Sequence, residues 1–131
     1  MKAEDLRIGN FVYYYDGAYF VTDINPPYIN LLSGDRMRVC DVDEDVLQPI
    51  TITEELLQKN GFKIDEDIVG YIRLYNELAR VAAYETYNGK WHIHIDDEEY
   101  STCFSKNLKY VHELQNAYYI ATGNELKINL L

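Results

Sequence analysis

The stretch "KWHIHIDDEEY", residues 90–100, holds the densest set of groups that could do chemistry. His92, His94 and Asp96 alternate, so on a strand they share one face while Trp91, Ile93 and Ile95 take the other. Two imidazoles and a carboxylate at that spacing can bind zinc or another transition metal if a fourth ligand or water converges on them. An amphipathic strand makes the same pattern with no metal, its Trp-Ile-Ile face packed inward and its polar face solvated beside a turn. The solvated strand is the expectation: no cofactor is assigned, and His92, His94 and Asp96 stand only as a candidate metal set.

Two other constellations fail on their own spacing. "DVDEDV" alternates Asp41, Asp43 and Asp45 like the start of a calcium loop, but Val46 stands where the turn glycine belongs and Ile52 where the bidentate glutamate belongs. A solvated loop is expected there. Cys103 and His112 are the one nucleophile-and-base pair worth naming. Nothing in "YSTCFS" supplies a strained elbow, a helix N-terminus or a positive pocket to lower the thiol pKa, so a buried structural cysteine is expected. Glycine-rich phosphate loops and G-x-S-x-G are absent. The chain does not read as an enzyme.

Aromatic residues make the other chemistry-bearing group. "FVYYYDGAYF", residues 11–20, carries six rings around Asp16-Gly17, a strong hairpin signal. A turn at Asp16-Gly17 pairs Tyr15 with Ala18, Tyr14 with Tyr19, Tyr13 with Phe20 and Val12 with Val21. One face then carries Val12, Tyr14, Tyr19 and Val21, extended in phase by Ile8 and Ile24, and is taken as core. The other carries Phe11, Tyr13, Tyr15 and Phe20, either a seam between two halves or an exposed binding patch. Near the end of the chain, His112, Gln115, Asn116 and Tyr119 form a polar stripe on a helix. Solvated surface, hydrogen bonds to a sheet and a recognition site compete there, with the second favoured.

The elements that position these groups follow from turn and cap signals. Five short strands within residues 1–50, separated by Asn25-Pro26-Pro27, Ser33-Gly34-Asp35 and the acidic run Asp43–Asp45, predict an SH3-like five-stranded barrel or a curled sheet. "TEELLQKNG" predicts a short helix: Thr53 as N-cap, Glu54 and Glu55 in the first turn, Ile52 and Leu57 as a hydrophobic staple, and Gly61 with Phe62 as a Schellman ending. Strand patterns return in "YIRLY", "ARVAAYETY", "KWHIHID" and "YSTCFS", with an Asn88-Gly89 hairpin turn. Leu108, Val111, Leu114, Tyr118 and Ala121 then recur at helical period, Gly123 ends that helix, and "ELKINLL" reads as a last strand. The fold class is α+β. Residues 1–50 form the SH3-like half and 51–131 an antiparallel meander with two helices, together one compact unit.

Composition limits the function. The chain has 131 residues, a 47% hydrophobic share and thirteen tyrosines, enough for a packed core. Twenty-two acidic against twelve basic residues give −10, which disfavours direct nucleic-acid binding, since such binders neutralise phosphates with Lys and Arg. The opening MKAEDLR lacks the apolar run of a leader and no stretch has the length of a membrane span, so a cytoplasmic protein with reduced thiols at Cys40 and Cys103 is expected.

"LRIGNFVYYYDGAYFVTDI", "PITITEELLQKNGF" and "YVHELQNAYYIATGNEL" together resemble a family of small uncharacterised proteins encoded by gut bacteria, their phages and other mobile elements. The resemblance covers both ends and the central helix and thins between Phe62 and Lys109. His112, Gln115, Asn116 and Gly123 fall where that family carries similar residues. It implies an accessory gene and transfers no catalytic residue. The leading expectation is a non-enzymatic module that binds another protein. The alternative is a small-ligand binder stacking a nucleotide or sugar on tyrosine, and the third a metal-dependent hydrolase built on His92 and His94.

Overall fold

The computed structural model describes residues 1–15, 17–68, 71–86, 89–96 and 101–131, excluding the side chains at 66–68, 71–72, 96 and 101–106. Among the described residues the protein is α+β, with two antiparallel five-stranded sheets and two α-helices. The chain divides into two compact units, residues 1–50 with 129–131, and residues 51–128.

The first unit contains β1 (Phe11–Tyr14), β2 (Gly17–Asn25), β3 (Tyr28–Leu32), β4 (Arg38–Asp43) and β5 (Leu47–Gln48), in the order β4-β3-β2-β1-β5. Val12, Val21, Ile29, Leu31, Val42 and Leu47 form the core with Ala3 and Leu6, and Tyr14, Tyr19 and Ile24 pack against it. The even-numbered face of the first strand is therefore the inner one, as the alternation predicts. Ile8 does not join it and is 55% exposed. The chain turns there instead, with Asn10 N–H donating to the Arg7 carbonyl (3.0 Å) and Arg7 N–H to Asn10 Oδ1 (2.7 Å).

The aromatic hairpin closes one position earlier than its Asp-Gly signal suggests. Tyr14 pairs with Gly17, Tyr13 with Ala18, Val12 with Tyr19 and Phe11 with Phe20. Each partner is displaced by two residues, and because strand side chains alternate with period two, the rings within β1 and β2 keep their expected faces, while Tyr15 falls in the turn outside β1. Glycine at the start of β2 makes room for a ring. Tyr19 lies over Gly17, where an added Cβ would come within 3.3 Å of its ring. A glycine inside the strand thus gives Tyr19 its seat.

The sheet is open rather than closed into a barrel. β5 offers only two residue pairs, Tyr13 with Gln48 and Tyr14 with Leu47. The link from β4 is a 3-10 turn, Glu44–Val46, capped by Asp43 Oδ1 accepting from Asp45 N–H at 2.9 Å. Glu44 itself accepts from Ala3 N–H at 2.6 Å. Among the described residues β4 and β5 remain the edges of the sheet.

The second unit is a meander of β6 (Lys63–Ile68), β7 (Tyr71–Asn76), β8 (Val81–Glu85), β9 (Trp91–Asp96) and β10 (Ser101–Leu108), preceded by α1 (Glu54–Lys59) and followed by α2 (Val111–Thr122). α1 follows its local signals closely. Thr53 Oγ1 accepts from Leu56 N–H (3.1 Å), Gly61 stands at φ +87°, and Phe62 N–H donates to the Leu57 carbonyl (3.1 Å). That last bond is the six-to-one bond of a Schellman ending. Ile52, Leu57 and Phe62 are all buried.

The hairpin joining β8 and β9 spans residues 86–90, closed by Thr86 N–H on the Lys90 carbonyl (2.7 Å) with Gly89 at φ +67°. Asn88 of the expected turn lies outside the described residues. α2 begins at Val111, so Leu108 belongs to β10 rather than to the helical stripe. Glu113 Oε1 accepts from the N–H groups of Tyr110 (2.9 Å) and Lys109 (3.1 Å), holding the helix start. Gly123, at φ +74°, ends it. The expected terminal strand is not formed. Leu126 is buried and its neighbours alternate in exposure, but the segment bonds locally, with Ile128 N–H on the Leu126 carbonyl. Alternating burial here reflects an extended segment without a ladder.

Candidate functional site

The predicted aromatic patch divides. Phe11 is buried and meets the half-buried Phe20 edge-on, with centroids 5.6 Å apart. Tyr13 is 41% exposed and Tyr15 84%. Tyr15 sits in the left-handed region at φ +56°, a conformation that Gly, Asn and Asp adopt with less strain than Tyr. Its ring lies 4.6 Å from that of Tyr14, which lies 5.5 Å from Tyr19 on the inner face. Burial, then the nearby Tyr15 and Tyr19, push the Tyr14 hydroxyl above its ordinary pKa. The hairpin end is therefore a ladder of tyrosines running from core to solvent.

On β9, Trp91, Ile93 and Ile95 are buried and His92 and His94 half-buried, the alternation read from sequence. His92 stacks on Tyr84, its cross-strand partner, at 5.2 Å. The Asp96 side chain lies outside the described residues. Among those described, no group of three or more His, Cys, Asp or Glu converges in metal-binding geometry. The Cys103 side chain also lies outside, so the Cys103–His112 pairing is not described. Cys40 is exposed, and Asp41, Asp43 and Asp45 are all exposed.

The polar stripe on α2 also splits. His112 and Gln115 are buried, Asn116 is half-buried and Tyr119 is 41% exposed. The buried face includes Val111, Leu114 and Ala117, which flank His112 and Gln115 around the helix. His112 stacks parallel to Tyr110 at 5.9 Å. These four residues do not form one presented surface.

A concave site arises where no sequence motif pointed. Within the second unit a cleft of about 900 Å³ is lined by Asn60 and Gly61 after α1, Lys63–Asp65 of β6, Tyr75 and Asn76 of β7, the turn residues Glu77–Ala79, Tyr118 of α2, and Asn124, Glu125 and Lys127. Asn76 is buried and fixes two of these walls. Its Nδ2 donates to the Asn60 carbonyl (3.2 Å), and its Oδ1 accepts from Ala79 N–H (3.0 Å). Arg73 is ion-paired with Asp65, and its guanidinium stands 5.8 Å from the centroid of the Tyr75 ring. Residues far apart in the sequence build the cleft, so only the two tyrosines carried a compositional hint.

No described helix is long and apolar enough to cross a membrane. Compared with known proteins, the chain matches no family model, no curated protein and no solved structure.

Proposed function

We propose that the protein is a non-enzymatic interaction module that binds a basic segment of another protein through the Tyr13–Tyr15 end of the first sheet. The observation that carries this reading is Tyr15, a large ring 84% exposed on a backbone at φ +56°. Holding a non-glycine residue there costs about 1–2 kcal/mol, and such strain is characteristic of positions kept for binding. Charge supports the polarity of the partner: residues 1–50 and 129–131 carry nine acidic side chains against four basic ones. Exposed tyrosine faces attract Lys and Arg through cation–π contact. The strand order, with β5 beside β1, is compatible with an SH3-like relationship, which supports an interaction role by analogy of fold alone. In this reading the protein is a cytoplasmic accessory factor carried by a phage or other mobile element, without affinity for nucleic acid.

The test separates strain from recognition. Tyr15→Asn relieves the backbone and should leave stability unchanged or raised, while binding of an arginine-rich peptide, followed by fluorescence anisotropy, falls at least tenfold. Wild-type binding should weaken as salt rises, and DNA should not bind. Undiminished peptide binding by Tyr15→Asn together with Tyr13→Ser would overturn the reading.

A further inference from the structure

We propose that the cleft of the second unit is a binding site for a neutral sugar ring, a site separate from the tyrosine ladder of the first sheet. Its size lies within the roughly 300–1,000 Å³ range of small-molecule pockets, at about 900 Å³. Tyr75 and Tyr118 supply half-buried aromatic walls, and exposed Leu78 and Ile64 extend the apolar lining. A sugar's C–H face is apolar and its edge polar, which suits walls of this kind.

The charges decide between the ligands that tyrosine walls could serve. Lys63 and Lys127 line the cleft together with Asp65, Glu77 and Glu125. Counted with Arg73, which is ion-paired with Asp65, three basic side chains meet three acidic ones, so the charges around the cleft balance. A phosphate placed there would meet two carboxylates as well as two ammonium groups, and its net electrostatic gain would be small. Lysine only donates hydrogen bonds and an ionised carboxylate only accepts them. Hydroxyl groups do both, so a polyhydroxylated ring can satisfy each set without bringing charge of its own. Asn76 has both ends of its amide committed to the Asn60 and Ala79 backbones, so two of the walls are already held before a ligand arrives.

The experiment is a titration of the full chain, isotopically labelled, with glucose, galactose and N-acetylglucosamine, and separately with AMP, followed by amide chemical shifts. Shifts confined to Gly61, Leu78 and the 124–127 segment with at least one sugar, insensitive to salt, are expected. Tyr118→Leu should weaken that response at least tenfold while the amide spectrum elsewhere stays that of the folded protein. Tyr75→Leu provides the second arm should Tyr118→Leu disturb α2. Absence of a response to all three sugars, a stronger and salt-sensitive response to AMP, or sugar shifts untouched by both variants would overturn the assignment.

Discussion

The two sheets have equal numbers of strands but differ in how far along the chain their pairings reach. In the second, every strand pairs with its neighbours in sequence, from β6 through β10. In the first, three hairpins are equally local, but the fourth pairing brings Leu47 and Gln48 back to Tyr14 and Tyr13 through only two residue pairs. So short a ladder contributes little by itself. Leu47 is fully buried in the core cluster, and that burial keeps β5 in place. The meander buries an apolar face of its own, Leu74, Val81, Trp91, Ile93 and Ile95, and adds ties from outside its ladder: Trp91 Nε1 donates to the Ile52 carbonyl (3.2 Å), and Ile52 N–H to the Lys109 carbonyl (2.9 Å). Both sheets rest on apolar burial. They differ in that the non-local pairing of the first is held by one buried residue, while the local meander has added polar ties at its flanks.

The strongest way to break this distinction is at the hairpin. Val12→Asp places a carboxylate in the first core and should cost roughly 3–5 kcal/mol, whereas Tyr13→Asp on the opposite face should cost under about 1 kcal/mol. Thermal melts of both variants check this, and equal losses would remove the asymmetry between faces. In the second unit, Trp91→Phe deletes the indole N–H and leaves the Ile52 carbonyl without that donor. A loss of about 1–3 kcal/mol in denaturant unfolding is expected.

Smaller effects sharpen the comparison. Thr53→Ala removes the N-cap of α1 and should cost about 1 kcal/mol, measurable by the same unfolding curves. His92→Ala with His94→Ala should cost under about 1 kcal/mol, chiefly the stack of His92 on Tyr84, and elemental analysis of the wild type should find no stoichiometric zinc, nickel or manganese. Least of all is the effect of Tyr14. Its hydroxyl has a pKa raised above 10.0 in the folded protein, so the unfolded chain loses that proton first. The contribution is complete below about pH 10 and is lost as pH rises through the raised value. Unfolding titrations across that range should show a slight alkaline decline that Tyr14→Phe removes.

Legibility of the sequence tracked the range of the interactions involved. α1 could be read residue by residue because Thr53, Gly61 and Phe62 act within one turn of their own positions. The faces of the aromatic hairpin were readable because alternation survives a two-residue displacement. The register was not, since alternation is the same in every register displaced by two residues. "ELKINLL" misled because alternation records burial and carries no information about a partner strand. The cleft was invisible: Tyr75, Tyr118 and Lys127 converge only once distant stretches have folded.

Asn76 gives that cleft a mechanical property. One buried amide is fastened to the backbone after α1 on one side and to the turn after β7 on the other. The two walls consequently share a single strut. A displacement of Ala79 is passed to Asn60 through two hydrogen bonds in series, whose compliances add, so the strut is softer than either bond alone.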